Sequence, residues 1–250
     1  MTITLFSFGY WGWGNATERL VAAIDAAERA RGFHPPVFVD IRLRRQGRAR
    51  GFVGSAFRDL VGESRYRWME DLGNAEIATG SGGIRIKRTE AVADLLELAL
   101  QKAKEGRRVI FYCACQPPWD KGLRCHRYKV ASLALKRAER WGRPVEIVEW
   151  PGGKPATVQL DVKGDLVKAL RNGRKSLPIR NGDWCEFVGL PWGSIVRLRA
   201  KEESVCIASG PARYSNGWFL PVIEEVDPSE DASLVKRAAE RFRQRYRLEP

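Results

Sequence analysis

No apolar run in this 250-residue chain approaches the roughly 20 residues needed to cross a bilayer, so a helical membrane span is not expected. Residues 1–8 are apolar but lack a basic flank and a small-residue cleavage pattern. They are too short for a secretory signal and fit a first strand. Cysteine is sparse: there are five, an odd number, and three lie within the thirteen residues from Cys113 to Cys125. That is not the even set of a secreted disulfide framework, and it points to a reducing, cytoplasmic setting. Histidine is scarcer still, with two in the chain, His34 and His126. Acidic residues are in deficit, 30 against 43 Lys and Arg, for a formal net charge of +13. This balance favours a polyanionic partner, nucleic acid or a nucleotide, over a merely solvated basic surface; no membrane partner is expected. The hydrophobic fraction of 44% suffices for a real core, so disorder is not the expectation.

What is present reads as alternating strands and helices over residues 1–150. Residues 3–8 form a buried strand that runs into the glycine-rich turn Gly9-Tyr10-Trp11-Gly12-Trp13-Gly14. Asn15 is placed to cap a helix, with Glu18 three residues on in capping-box position. Leu20, Ile24 and Ala27 share the inner face of that helix. Pro35-Pro36 breaks the chain, and residues 37–41 form a second buried strand. Strand, turn, helix and strand in this order predict a parallel sheet with right-handed crossovers. A short helix over 55–62 and a short strand over 66–69 follow. The helix over 89–104 has Val92, Leu95, Leu96, Ala99 and Ala103 on its core side. Strand 108–113, helix 125–141 with Val130, Leu133, Ala134 and Ala138 inward, and strand 145–150 complete the unit.

The fold class is therefore α/β, a mainly parallel sheet with flanking helices, plus a smaller β-rich C-terminal unit. Pro151-Gly152-Gly153 punctuates the chain between them. Residues 151–228 carry short strand-like pieces at 184–188, 194–198 and 205–209, the pattern of a small barrel or half-barrel. Residues 229–250 read as a basic amphipathic helix, with Leu234, Ala238, Phe242 and Tyr246 on one face.

In an open parallel sheet, ligands bind beyond the carboxyl ends of the strands. The first such end offers Gly9 and Tyr10, leading to helical amides that suit a phosphate, or else a tight turn shielded by aromatics. The second offers Asp40 and Arg42, two residues apart and so on one side of the strand. They can grip a substrate or pair with each other. The third offers Cys113, Cys115 and the run Cys125-His126-Arg127. A thiol at a helix start or near arginine shifts toward thiolate, and a guanidinium takes phosphate in bidentate fashion. A histidine suits proton transfer near neutral pH. Asp40 or His126 is thus the candidate proton carrier and Cys115 or Cys125 the candidate nucleophile. Gly9, Tyr10, Arg42 and Arg127 are the candidate substrate-binding residues.

Zinc is the competing reading, because Cys113, Cys115, Cys125 and His126 are four ligand types. The spacing speaks against it: C-x-C lacks the usual two-residue gap, and adjacent Cys125 and His126 rarely both reach one ion. No metal and no cofactor is assigned, and Cys113, ending an apolar strand, is expected to be buried and inert. Residues 42–50 hold five arginines in nine positions and no acid. Arg44, Arg45, Arg48 and Arg50 are expected to track nucleic-acid phosphates. Trp184, Trp192 and Trp218 either stack on unpaired bases or fill the core of the small barrel.

Several of these pieces occur together in one known family. They are Phe8-Gly9-Tyr10, Val39-Asp40-Ile41-Arg42, residues 66–73 ending in Leu72-Gly73, Tyr112-Cys113-Ala114, and Cys125-His126-Arg127. Over residues 1–150 the chain resembles the YeaO-like bacterial and archaeal family of unknown function. The resemblance implies an α/β sandwich with its polar motifs gathered at one edge, and it brings no settled activity. Where the family carries an acidic residue after the cysteine-alanine pair, this chain has Cys115. The leading expectation is a protein that binds nucleic acid or a nucleotide and acts as an enzyme on a phosphate-bearing substrate. The alternatives are a non-catalytic nucleic-acid-binding module and a zinc-stabilised structural domain. Burial separates them: a catalytic Cys-His-Arg opens to a cleft, whereas a structural one is packed and paired.

Overall fold

The computed structural model describes residues 2–11, 13, 16–47, 49–80, 82–115, 125–154, 157–161, 164–172, 176–179, 189–191, 194–201, 203–208, 213–214, 218–221 and 225–226. The chain divides into two compact units, Met1–Trp150 and Pro151–Pro250. No helix among the described residues is long and apolar enough to cross a membrane.

The first unit is built on five parallel strands: β1 (Ile3–Gly9), β2 (His34–Asp40), β3 (Tyr66–Trp68), β4 (Arg107–Cys113) and β5 (Val145–Glu149). Their order across the sheet is β3-β2-β4-β1-β5. The flanking helices are α1 (Thr17–Ala30), α2 (Ala56–Val61), α3 (Val92–Lys104) and α4 (His126–Arg140). The central strands are apolar on both sides, as a sheet covered on both faces requires. Val37, Val39, Ile41, Val109 and Phe111 belong to the core beneath α3 and α4, with Leu95, Leu96, Val130 and Ala134. Phe38, Tyr112, Phe52 and Phe57 pack together on the face of α2.

Local differences from the sequence reading have identifiable causes. The strand expected from residue 37 begins at His34 and takes in Pro35-Pro36. Proline donates no ladder bond, and the β2–β4 register shifts between His34 and Val37 to accommodate the pair. The helix α1 begins at Thr17 with Ala16 in the capping position and no side-chain cap, while Asn15 lies outside the described residues. A 3-10 turn over Thr89–Ala91 leads into α3, whose Val92, Leu95, Leu96 and Ala99 are buried.

The second unit carries β6 (Thr157–Asp161), α5 (Gly164–Arg171), β7 (Ser176–Ile179), β8 (Ile195–Ala200), β9 (Glu203–Ala208), β10 (Arg213–Tyr214), β11 (Trp218–Pro221) and β12 (Glu225–Val226). Its strands form two sheets, β12-β9-β8-β6 and β10-β11-β7. The helix α5 was not expected, and β6 and β8 run parallel, so the unit is not purely antiparallel. The strand expected at 184–188 and the terminal helix at 229–250 lie outside the described residues.

Gly73 fixes the loop that follows β2. A Cβ on it would stand 2.5 Å from the main-chain nitrogen of Leu43 and 2.6 Å from its Cα. Both contacts are backbone to backbone, so no side chain can yield. Gly73→Ala is expected to destabilise the protein by about 1–3 kcal/mol, the usual scale of overpacking. Urea denaturation of the variant beside the parent measures this, and equal midpoints would show that the loop has slack.

Candidate functional site

Asp40, Cys113 and Gly9 end β2, β4 and β1, so parallel pairing brings them to one edge of the sheet. Gly9 pairs with Cys113, and Asp40 pairs with Tyr112. Yet successive strand residues point to opposite faces. Tyr112 and Cys113 therefore look in opposite directions, and the polar groups of the edge separate into two networks.

The first network lies on the face of α2. The Arg42 main-chain N–H donates to Asp40 Oδ1 at 3.0 Å and its Nε donates to the same oxygen at 2.8 Å. Its Nη1 donates to the Tyr10 hydroxyl at 2.8 Å, and its Nη2 to the Phe52 carbonyl at 2.7 Å and to Asp40 Oδ2. The Tyr66 hydroxyl donates to Asp40 Oδ2 at 3.2 Å. The Tyr10 ring stacks on Phe52, centroids 3.8 Å apart. Burial works against the Arg42 charge, but the Asp40 carboxylate outweighs it and holds the guanidinium above its ordinary pKa. Burial also lifts the Tyr10 hydroxyl to about 12, with Arg42 opposing. Asp40 and Arg42 are thus committed to each other. Of the two readings of this pair, gripping a substrate or pairing with each other, the geometry shows the pairing.

The second network lies on the face of α3 and α4. Cys125 adopts an extended conformation ahead of α4 and caps it, its sulfur accepting from the Arg127 N–H at 3.5 Å. Cys113 Sγ lies 3.4 Å from Cys125 Sγ, and the Cys115 N–H donates to Cys113 Sγ at 3.3 Å. One ligand atom from each of Cys113, Cys115, Cys125 and His126 falls within 4.8 Å of all the others. The spacing argument against their meeting is overturned by the fold. The β4 end carries the C-x-C, and the start of α4 turns Cys125 and His126 toward it together.

Electrostatically the cluster is uneven. Hydrogen bonds from Cys113 and Cys115 push Cys125 far below an ordinary thiol, against its burial. Burial pushes Cys113 up instead. Burial lowers the His126 pKa, but its bonds to Cys115 and Cys125 more than compensate and lift it to about 9. His126 Nε2 lies 3.0 Å from the Ile41 carbonyl, an acceptor, so this nitrogen carries the proton.

Arg127, expected to hold a substrate anion, is fully buried. Its Nη1 donates to Ser7 Oγ at 2.7 Å and to Glu149 at 2.6 and 2.7 Å. Burial disfavours its charge, and Glu149 restores it. Sequence reasoning missed Glu149 and Ser7, although the alternation of β5 and β1 puts them on the face that α4 covers. The Cys-His-Arg run as a whole is packed and paired.

The arginine loop is different. Arg44 and Arg50 are exposed, and no ion pair among the described residues involves them. The Arg45 guanidinium lies over the Trp68 ring, 4.3 Å from its centroid. Trp68 was missed as a surface residue. It is 38% exposed, and its Nε1 donates to the Arg42 carbonyl at 2.9 Å. Arg48, Trp184 and Trp192 lie outside the described residues. Comparison with protein-family models, curated proteins and solved structures finds no match to this chain.

Arg127→Met leaves Glu149 buried without its counter-charge. A loss of about 3–5 kcal/mol is expected, the scale for breaking a buried pair from one side. Guanidinium denaturation is the measurement, and a loss below about 1 kcal/mol, the scale of an exposed pair, would show that Glu149 is not held in this way.

Proposed function

We propose that the protein is a nucleic-acid-binding module that takes single strands along the loop between β2 and α2. The observation that carries this reading is the exposed arrangement of Arg44, Arg50 and the Arg45–Trp68 pair. Arg45 sits over an indole whose orientation is fixed by its hydrogen bond to the Arg42 carbonyl, and Arg44 and Arg50 of the same loop are exposed. Guanidinium groups match phosphate geometry, and an exposed indole offers any base a stacking surface regardless of sequence. The first acid after Asp40 in the chain is Asp59, which Arg58 engages at 3.1 Å. The loop segment from Ile41 to Ser55 holds no acid of its own, and Arg44 and Arg50 have no ion pair among the described residues, in a chain of net charge +13.

A catalytic role receives less support than a binding role. The residues with catalytic chemistry are either buried in ion pairs, as Asp40 is, or gathered in the thiol cluster under α4. Kinship with the YeaO-like family belongs to the same proposal. It rests on the motifs named above and on their arrival at one sheet edge, and it adds no activity of its own.

Titration of a fluorescent single-stranded oligonucleotide at two salt concentrations tests the reading. Each phosphate contact contributes a slope of about −0.7 in log affinity against log salt. Replacing Arg44, Arg45 and Arg50 together by Gln is expected to flatten the slope by about 2, at about 0.7 per lost contact. Trp68→Ala is expected to weaken binding by about 1–3 kcal/mol at either salt concentration. Unchanged affinity in both variants would remove the loop as the binding surface.

A further inference from the structure

We propose that Cys113, Cys115, Cys125 and His126 bind a single zinc ion in tetrahedral geometry, and that this ion fastens the start of α4 to the end of β4. The proposal is independent of nucleic-acid binding, since it rests on the opposite face of the sheet from the Asp40–Arg42 pair.

The geometry is close to what such an ion demands. Zinc–sulfur bonds of about 2.3 Å at tetrahedral angles put two thiolate sulfurs about 3.8 Å apart. Cys113 and Cys125 lie 3.4 Å apart, and no pair of the four ligand atoms exceeds 4.8 Å. Displacements of about an ångström or less reach the bound geometry. Three thiolates and one imidazole form a donor set suited to zinc and poorly suited to magnesium or calcium, which take oxygen ligands. Four protein ligands also close the coordination shell, as structural rather than catalytic zinc sites do.

The second observation is the orientation of His126. Imidazoles that bind metal through one nitrogen donate the other N–H to a carboxylate or a backbone carbonyl. His126 Nε2 donates to the Ile41 carbonyl at 3.0 Å, which leaves Nδ1 as the nitrogen an ion can take, displacing the proton it holds. The bond sets both the tautomer and the ring plane. Cys125 and His126 stand at the N-terminal end of α4, a helix of 15 residues. Three thiolates and a divalent ion leave one net negative charge, which the positive end of the helix dipole favours.

The ligand spacing, C-x-C followed by nine residues and then C-H, differs from the paired C-x-x-C of common zinc motifs. A parallel sheet explains how it can work. The strand supplies two ligands from its end, and the crossover returns the chain to deliver two more from the first turn of the next helix.

Metal analysis of the full chain, purified under reducing conditions without chelator, is expected to find one zinc per chain. Anaerobic replacement by cobalt(II) is expected to give the visible bands of tetrahedral cobalt together with thiolate-to-metal charge transfer. Cys115 is the half-buried ligand, so Cys115→Ser is the variant most compatible with folding. It is expected to weaken zinc binding by at least about tenfold, a scale reached even when a partner that only orients a ligand is removed. Circular dichroism confirms that the variant is folded. The wild-type cobalt spectrum stands as evidence even if the variant is not. A metal-free wild-type protein that develops no cobalt spectrum would overturn the proposal. So would a Cys113–Cys125 disulfide found by mass spectrometry in protein isolated anaerobically.

Discussion

Side chains on a strand alternate between faces, and at the carboxyl edge of this sheet that alternation decides which polar groups can meet. Asp40 and Tyr112 are register partners and share a face. Cys113, one residue further, turns to the other. A site assembled from Asp40, His126 and Cys125 would need all three on one side, and the sheet stands between them. What looks in the sequence like one constellation is two, each completed by partners from its own layer of helices. Arg42 and the tyrosines complete one; α4 completes the other.

Each network also matches its buried charge internally. A guanidinium taken out of water is tolerable only with a carboxylate and further acceptors at hydrogen-bond distance. Arg42 has Asp40, the Tyr10 hydroxyl and the Phe52 carbonyl. Arg127 has Glu149 and Ser7. The same pattern recurs deeper in the unit, where Glu28 is fully buried between Arg108 and the Trp150 indole N–H. Such pairs contribute modestly to net stability, but they penalise alternative packings that would strand one charge.

Much of the first unit was legible because its apolar periodicity is strong. The runs at residues 3–8, 37–41 and 108–113 have the period and length of buried strands, and α3 and α4 carry their core residues at helical spacing. The convergence of strand ends followed from parallel topology. Which face each residue takes was also implicit in the alternation, but only register makes it usable. Glu149 reaches Arg127 because β5 lies beside β1 rather than elsewhere in the sheet. The thiol cluster was obscured for another reason. Spacing rules for metal ligands come from loops and hairpins, and they do not anticipate ligands delivered by a strand end and a helix start. In the second unit the apolar pieces are short and interrupted, and α5 has too little length for its period to stand out.

The two networks meet through main-chain bonds at the strand ends: the Tyr10 N–H donates to the Cys113 carbonyl, and Ile41 bonds to both sides. The Ile41 N–H donates to the Tyr112 carbonyl, and the Ile41 carbonyl accepts from His126. Asp40 precedes it and Arg42, the first arginine of the exposed loop, follows it. The imidazole cannot swing away from its place without releasing the peptide that sets where that loop begins. The thiol side of the sheet and the basic side are therefore mechanically joined through the Ile41 peptide.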